Sequence, residues 1–217
     1  SKMFVNVNTM VSVEDLIRGI IVQSGNDACI AIAEGISGSE ALFAEELNLL
    51  AKEIGMINSS FTNSTGWPDP DHLTTIQDLL TLTVRTIEDF PELYYYYAEK
   101  EFTYSGIRQL NRNPLLFNEI NADGLKTGHT SLGGYGLVAS VLKNNRRLIL
   151  ILNGLKRNKD RSEESERLVK VGFNQYKVID LYDKNQTITN LQVWGGRKKN
   201  VDAVSYTHLT LPTIYSV

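Results

Sequence analysis

The feature that most restricts the fold is a pair of apolar runs with a short polar stretch between them. The runs Gly136–Val141 and Arg147–Leu152 have the composition of strands, and the stretch between them contains Asn144 and Asn145, residues that favour tight turns. Strands joined by so short a connection pair antiparallel, because a parallel pair needs a crossover of a dozen or more residues. The sequence therefore predicts an antiparallel β-hairpin.

Segments with helical periodicity lie on both sides of this hairpin. The first follows Ser12, a predicted N-cap, and repeats Leu16, Ile17 and Ile20 at helical spacing. Four more helices are predicted, at about Asp27–Glu34, Ser39–Ile54, Thr75–Glu88 and Ser162–Tyr176. A short helical stretch is predicted after Pro91, and a strand at Glu101–Tyr104. Helices around an antiparallel hairpin predict an α+β fold, in which helices flank an antiparallel sheet.

The chain divides into parts of different pattern. It has 217 residues, 42% of them hydrophobic, which is enough for one main core with a small appendage. Residues 1–176 carry the elements above, and from Lys177 the pattern changes to short alternating runs that predict the start of a separate all-β unit at 177–204. Residues 205–217 have neither periodicity nor caps and resemble translated cloning sequence, so we exclude them from the fold.

Composition excludes several classes of function. The net charge is -3 with both signs interspersed, so no basic stripe for nucleic acid is expected. The single cysteine, Cys29, lies in an apolar run, where a small buried hydrophobe is the favoured interpretation over a reactive thiol. No His/Cys/Asp group has metal-ligand spacing and no glycine-rich loop has phosphate-binding form, so neither metal nor cofactor is predicted.

Two short motifs carry the chemistry. Lys126-Thr127-Gly128 is predicted to follow a turn and precede a strand, and Ser24-Gly25-Asn26 lies about a hundred residues upstream, on a tight connection between two predicted helices. Either triplet alone arises by chance in many proteins. Together, in this order, they are elements of the serine penicillin-recognising enzymes.

With these motifs the chain resembles the serine-type D-Ala-D-Ala carboxypeptidases, the low-molecular-mass penicillin-binding proteins of peptidase family S11. The likeness covers about 170 of the 217 residues and includes the segments 16–28, 100–113, 123–130, 134–140 and 161–173. It implies the β-lactamase/DD-peptidase-like fold, with an active site between an all-helical subdomain and a helix-flanked five-stranded antiparallel sheet.

One departure from the family is large. These enzymes carry a Ser-x-x-Lys motif, whose serine attacks the substrate, about sixty residues before Ser-x-Asn, whereas only 23 residues precede Ser24. The single Ser-x-x-Lys here, Ser140 to Lys143, falls on a predicted strand, where positions three apart point to opposite faces. We therefore expect a fragment that begins about forty residues after its nucleophile.

The resemblance implies catalytic roles for Ser24, Asn26 and Lys126. Ser24 would relay a proton to the departing D-alanine with help from Lys126, and Asn26 would hydrogen-bond the penultimate amide of the substrate. The structural alternatives are a turn hydroxyl for Ser24, a turn-forming asparagine and a surface lysine.

Further residues are implied in substrate binding. Thr127 and Thr130 would contact the substrate carboxylate or fix the strand edge, and Gly128 would let the substrate backbone pair with this strand. His129 would give its backbone N–H to the oxyanion hole; a role for its imidazole as general base stays open. Arg161 and Arg112 match positions that bind the terminal carboxylate, and pairing of Arg161 with Glu163 or Glu164 is its structural alternative.

The implied function is a fragment of an exported bacterial D-alanyl-D-alanine carboxypeptidase. It would trim the terminal D-Ala from peptidoglycan pentapeptides through an acyl-enzyme and be acylated by β-lactams, in the periplasm or at the outer face of the cytoplasmic membrane. Membrane anchoring of the full protein stays open. A class A β-lactamase is a rival, but its loop glutamate has no counterpart in residues 58–73. The second rival function is a catalytically inactive module that binds cell-wall D-Ala-D-Ala.

Overall fold

The structure is a computed structural model that describes residues 1–205 and the short strand 209–210. The exclusion of residues 205–217 from the fold therefore concerns residues that lie mostly outside the described part. Two compact units divide the chain, Ser1–Val169 and Lys170–Val217, and each is described by itself. No helix in the described residues is both long and apolar enough to span a membrane.

The helices begin where the caps predict. The α-helices are α1 Val13–Ile21, α2 Asn26–Ser37, α3 Glu40–Glu53, α4 Ile76–Asp89 and α5 Asn158–Gln175, with 3-10 helices at Tyr94–Ala98 and Pro114–Phe117. Ser12, Ser39 and Thr75 each accept a hydrogen bond from the backbone three residues on, at 3.0, 3.2 and 3.1 Å. Two helices begin earlier than predicted: α2 begins at Asn26 and not at Asp27, and α5 begins at Asn158 and not at Ser162.

The strands form antiparallel pairs. They are β1 Glu101–Tyr104, β2 Ile107–Leu110, β3 Ala122–Thr130, β4 Gly134–Lys143, β5 Arg146–Leu155, β6 Asp180–Tyr182, β7 Thr187–Gln192, β8 Asn200–Val204 and β9 Leu209–Thr210. The predicted hairpin is confirmed as β4–β5, with Asn144 and Asn145 at φ 51° and 59°, the left-handed values of a type I′ turn.

The main sheet has the order β3-β4-β5 within the described residues, so three of the five strands that the resemblance implies are present. The prediction that Lys126-Thr127-Gly128 precedes a strand is wrong, because the triplet lies inside β3. Lys126 and Gly128 have low strand preference, and pairing with β4 overrides that preference. The α+β class is confirmed by the antiparallel sheet and the helices around it.

The core of the first unit has a sheet part and a helical part. On β4, Leu137, Ala139 and Val141 alternate inward and are almost wholly buried. In the helical part, Met3 and Leu16 are buried and contact each other in one apolar cluster. In the second unit, β6 pairs with β9 and β7 pairs with β8, and every residue of β7 is exposed.

Candidate active site

A cleft of about 1000 Å³ lies in the first unit, a size that suits a drug-sized ligand or a short peptide. All the site residues that the sequence predicts line it: Ser24, Asn26, Arg112, Lys126, Thr127, Gly128, His129, Thr130 and Arg161. We call the Ser24–Asn26 loop with the adjoining ends of α1 and α2 the helical wall, and Lys126–Thr130 of β3 the strand wall. The structure brings these residues together, and their roles stay predictions.

The helical wall is built on a left-handed residue. Ser24 has φ 53°, an uncommon value for a residue other than glycine and one often found at functional positions. The loop stays close to α1 because the Gly25 N–H donates to the carbonyl of Gly19 at 2.9 Å. Met3 packs beneath it: a Cβ on Gly25 would lie 3.0 Å from Met3, and one on Gly19 would lie 2.2 Å from its sulfur. A side chain at either position would therefore press on Met3.

A carboxylate at the start of α2 ties this wall to the Met3–Val5 segment. Asp27 accepts the backbone N–H groups of Met3, Phe4 and Val5 at 2.8, 2.7 and 3.0 Å, and that of Ala28 at 3.1 Å. Burial alone would raise the pKa of Asp27, but these donors stabilise the carboxylate and lower its pKa below the usual value. Sequence reasoning missed this residue, although it follows the Ser-x-Asn triplet directly.

The strand wall is held by its ladder with β4, in which Lys126 pairs with Val138 and Thr130 with Gly134. Among the described residues the other edge of β3 has no strand partner. The Lys126 ammonium donates to Ser24 Oγ at 2.5 Å and to the Thr127 carbonyl at 2.9 Å. The hydrogen bond from Lys126 to Ser24 thus joins the two walls, between residues that are far apart in sequence.

The electrostatics of the cleft act on Lys126. Burial, followed by repulsion from Arg112 and Arg161, lowers its pKa to about 8. A lysine with such a pKa gives up a proton more readily than an exposed one and regains it near neutral pH. This is the property expected of a proton-transfer group.

Arg161 is a buried cation with incomplete hydrogen bonding. It is 6% exposed, its Nη2 donates to Asn158 Oδ1 at 2.7 Å and to the Arg112 carbonyl at 3.3 Å, and its guanidinium lies 5.5 Å from the centre of the Tyr135 ring. Its Nε has no partner among the described residues. A buried guanidinium in this state favours an anionic ligand.

The structural alternative for Arg161 is wrong. Glu163 pairs with Lys159 at 3.1 Å and Glu164 with Arg167 at 2.6 Å. Both contacts lie along the surface of α5, whereas the Arg161 side chain turns into the cleft. Because α5 begins at Asn158, Arg161 lies in its first turns and not ahead of the helix as the sequence predicts.

The strand wall leaves room for a ligand at Gly128. A Cβ on Gly128 would meet nothing within 4 Å, so a backbone can approach this strand there. The His129 imidazole stacks on Tyr135 with 4.0 Å between ring centroids. Thr130 Oγ1 accepts the Gly133 N–H at 2.7 Å, which fixes the turn into β4.

The structure also bears on the predictions for Cys29 and for the Ser140–Lys143 pair. Cys29 is half-buried and lines the cleft, while burial, opposed by Lys126, raises the pKa of its thiol and keeps it neutral. The Ser140–Lys143 pair diverges as predicted: Ser140 is fully buried and accepts a hydrogen bond from Arg147, and Lys143 is exposed. No group of His, Cys, Asp or Glu in the described residues could hold a metal ion.

Comparison with known proteins identifies the family. Residues 1–156 match the peptidase S11 family, described as D-alanyl-D-alanine carboxypeptidase. DacA of Haemophilus influenzae, a D-alanyl-D-alanine carboxypeptidase, is 43% identical over 93% of this chain and 52% of its own length. The chain thus spans about half the length of such relatives.

Solved structures of penicillin-binding proteins support the same family. Penicillin-binding protein 5 from Haemophilus influenzae superposes with a TM-score of 0.88 and 41% identity, over 97% of this chain and 62% of that one. Penicillin-binding protein D2 from Listeria monocytogenes, solved in an ampicillin-bound form, superposes with a TM-score of 0.72 and 28% identity. The match covers 80% of this chain and 72% of that one. The DD-peptidase fold implied by the sequence is confirmed. The chain belongs to the D-alanyl-D-alanine carboxypeptidase family, peptidase S11.

Proposed function

We propose that this chain forms the proton-relay and substrate-binding part of a serine D-alanyl-D-alanine carboxypeptidase, which removes the terminal D-Ala from peptidoglycan pentapeptides through an acyl-enzyme. One observation carries the proposal. The Ser24 hydroxyl bonds the Lys126 ammonium in a cleft that Arg112 and Arg161 also line, and no carboxylate is among its described lining residues. Such a cleft favours a ligand that ends in a carboxylate.

The Ser24–Lys126 pair supplies the proton for the leaving group. Ser24 Oγ accepts a hydrogen bond from Lys126, so its own proton points elsewhere and can pass to the nitrogen of the departing D-alanine. As that proton leaves, Lys126 donates one to Ser24 and becomes neutral. The pKa of about 8 makes this transfer less costly than it is for an exposed lysine.

The remaining residues hold the substrate. Arg161, with its unpartnered Nε, and Arg112 bind the terminal carboxylate with Thr127. The open edge at Gly128 lets the substrate backbone add to β3 as a strand. The backbone N–H of His129 is one donor of the oxyanion hole, where loss of such a donor costs about 3 to 4 kcal/mol in other hydrolases.

The attacking serine belongs, in this proposal, to a part of the whole protein outside this sequence. Ser140 cannot serve, because it is buried on β4 and bonded to Arg147. Support also comes from the length comparison, in which the chain covers about half of its relatives. The whole protein would act on peptidoglycan outside the cytoplasm, in the periplasm or at the outer face of the membrane, and β-lactams would acylate it, as ampicillin is bound in the Listeria protein.

The rival functions fit the cleft less well. A class A β-lactamase needs a glutamate at the site, and no Glu or Asp is among the described lining residues. A catalytically inactive binding module would share the cationic cleft but would not need the contact between Ser24 and Lys126. A labelling experiment separates it from the enzyme.

The test compares this chain with a version extended at its N-terminus by the corresponding segment of the Haemophilus influenzae DacA protein. Both are incubated with a fluorescent penicillin and analysed on a denaturing gel. We expect covalent labelling of the extended version alone, and its loss after Ser24→Ala. Labelling of the short chain would place the nucleophile within these residues. An extended version that binds acetyl-D-Ala-D-Ala but takes no label would support the binding module.

A further inference from the structure

Tyr135 contacts two groups to which the proposed function gives separate roles. Its ring stacks on the His129 imidazole, with 4.0 Å between the ring centroids and 33° between the planes. The guanidinium carbon of Arg161 lies 5.5 Å from the centroid of the same Tyr135 ring, a distance typical of a cation–π contact. All three residues line the cleft. One aromatic side chain thus contacts both the strand wall and an arginine assigned to the substrate carboxylate.

The pairing of the strands places this ring. In the ladder between β3 and β4, Tyr135 lies directly opposite His129, and the side chains of opposite residues on a sheet are close neighbours. On its other side β4 pairs with β5, and the register shifts between Tyr135 and Leu137. Such β-bulges re-aim side chains and are frequent beside active sites.

Two glycines let β5 approach the backbone on both sides of Tyr135. A Cβ on Gly134, which has φ 68°, would lie 2.7 Å from the Leu155 carbonyl oxygen. A Cβ on Gly136 would lie 3.0 Å from Asn153 Oδ1. The residues before and after Tyr135 therefore leave room for β5 to pack closely. The ring projects from a backbone whose geometry is narrowly limited.

Arg161 needs support that does not compete with its ligand. Burial lowers the pKa of its guanidinium, because the charged form loses contact with water. A carboxylate would compensate this loss, but it would also occupy the donors that a substrate carboxylate needs. No Asp or Glu is among the described residues that line the cleft. The contacts of Arg161 are instead neutral groups: the Tyr135 ring, the Asn158 amide oxygen and the Arg112 carbonyl.

An aromatic ring suits this task. The face of a tyrosine ring attracts a cation through its quadrupole, so it stabilises the charge of Arg161 without cancelling it. The Nε of Arg161 still has no hydrogen-bond partner among the described residues. Arg161 therefore keeps both its positive charge and a donor for an anionic ligand.

We propose that Tyr135 is a positioning residue for recognition of the substrate carboxylate. Its ring, held by the stack on His129, keeps Arg161 charged and turned into the cleft. This inference rests on the proposed function, because that function assigns the carboxylate to Arg161. It adds a residue that acts through Arg161 rather than on the carboxylate itself.

The test compares the affinities of this chain for acetyl-D-Ala-D-Ala and for its C-terminal amide, which lacks the carboxylate, by isothermal titration calorimetry. We expect the parent chain to prefer the carboxylate and Arg161→Met to lose that preference. Tyr135→Leu should reduce the preference about fivefold to tenfold, whereas Tyr135→Phe should keep it within about twofold because the ring face remains. Tyr135→Leu combined with Arg161→Met should cause no further loss, as expected of residues that act as a pair.

Two controls separate positioning from a general effect on the fold. Tyr104→Leu is the matched variant and should keep the full preference, because Tyr104 is a partly buried strand tyrosine outside the cleft lining. The second control places phenylalanines with increasing numbers of ring fluorines at position 135. The fluorines weaken the attraction of the ring face for a cation while the side chain stays similar in size, so the preference should fall along the series. This series tests the proposal even where Tyr135→Leu does not fold.

The outcomes separate the two proposals. If the parent chain prefers the carboxylate but Tyr135→Leu or the fluorinated series keeps the full preference, the role of Tyr135 is wrong and the proposed function stands. A loss of preference in Tyr135→Phe would also overturn that role, since the hydroxyl would then be responsible. If Arg161→Met keeps the preference, the carboxylate is bound elsewhere and the inference is wrong. If the parent chain binds neither probe, or binds both equally, the proposed function fails and the inference fails with it.

Discussion

The two walls of the cleft hold their functional residues in different ways. The strand wall is fixed by a backbone ladder, in which successive residues from Lys126 to Thr130 pair with β4. The helical wall has no ladder, and a single carboxylate, Asp27, gathers the backbone of Met3–Val5 beside the Ser24 loop. We call Asp27 with its bonds to the Met3–Val5 backbone the clamp. The ladder distributes the stabilisation over many hydrogen bonds, whereas the clamp concentrates it in one side chain.

This difference has consequences for mutation. A substitution behind the strand wall removes one support among several, so the position of Lys126 changes little. A substitution of Asp27 removes every contact of the clamp at once and leaves backbone donors unpaired. The helical wall is therefore the part of the site that single substitutions disturb more easily.

The largest effect is expected at the contact that the walls share. Lys126→Met should lower the rate of penicillin labelling of the extended protein by about 100-fold or more, because it removes the proton donor to Ser24. Rates are measured by stopped labelling and gel fluorescence. Lys143→Met on β4 is the control and should label normally. A Lys126→Met protein that labels within threefold of the parent would show that the walls do not act through this contact.

The next effect tests the clamp. Asp27→Asn should lower the labelling rate about tenfold, because a displaced Ser24 loop misplaces the reacting groups, and it should also lower the melting temperature. Asp78→Asn is the matched control: Asp78 accepts the Asn58 N–H at 2.8 Å and the Ser59 hydroxyl at 2.7 Å and does not line the cleft. It should lower the melting temperature while the folded protein labels normally. Equal labelling rates for the two variants would contradict the role of Asp27 in positioning the Ser24 loop.

The walls should respond to opposite ends of the pH range. The affinity for acetyl-D-Ala-D-Ala should fall about fivefold as the pH rises through 8, because Lys126, whose pKa is lowered to about 8, loses its charge there. Calorimetric titrations from pH 6.5 to 9.5 measure this, and Lys126→Met should lack the step. A pH-independent affinity would contradict a contribution of the Lys126 charge to the attraction of the substrate carboxylate.

The stability of the fold should rise with pH in two separate ranges, one set by Asp27 and the other by Lys126. The lowered pKa of Asp27 means that its contribution is complete above its unfolded pKa of about 4 and is lost as the pH falls through the lower folded value. Lys126 gives a slope of the same sign at the alkaline end of the range. Its folded form releases a proton at about 8 while the unfolded chain still holds it, so stability rises as the pH rises from there.

The smallest effect is expected behind the strand wall. Arg147 pairs with Asp123 at 2.8 Å, with side chains 26% and 27% exposed, and it also donates to Ser140. Asp123→Asn should lower the free energy of unfolding by about 1–3 kcal/mol in urea titrations, while the labelling rate of the folded protein stays within about threefold because the ladder still holds Lys126. A tenfold loss of rate would mean that the strand wall is no more robust than the helical wall.

Much of the fold follows from local sequence. The caps Ser12, Ser39 and Thr75 and the Asn144-Asn145 turn were predictable because each contact joins residues at most a few positions apart. The strand β3 was not predictable from its own residues, since Asp123, Gly124 and Lys126 have low strand preference. It is a strand because β4 pairs with it.

The candidate site shows the same division. The triplets and the family resemblance together indicated the site residues Ser24, Asn26, Arg112, Lys126–Thr130 and Arg161, and all of these line the cleft. Sequence reasoning missed Tyr135 and Asn158, which contact Arg161 from β4 and from the start of α5. No local pattern marks either residue, because their importance comes from a side chain that reaches them in space.

The sequence by itself determined the order and type of most elements and, through its motifs, the family and the residues of the site. Only the tertiary structure decided that Asp27 clamps the helical wall, that Lys126 lies desolvated beside Arg112 and Arg161, and that Tyr135 contacts both His129 and Arg161. The physical reason is how far apart in sequence the interacting residues lie. Periodicity, capping and turn chemistry depend on neighbours along the chain, whereas burial, pKa and ligand contact depend on which distant residues pack together.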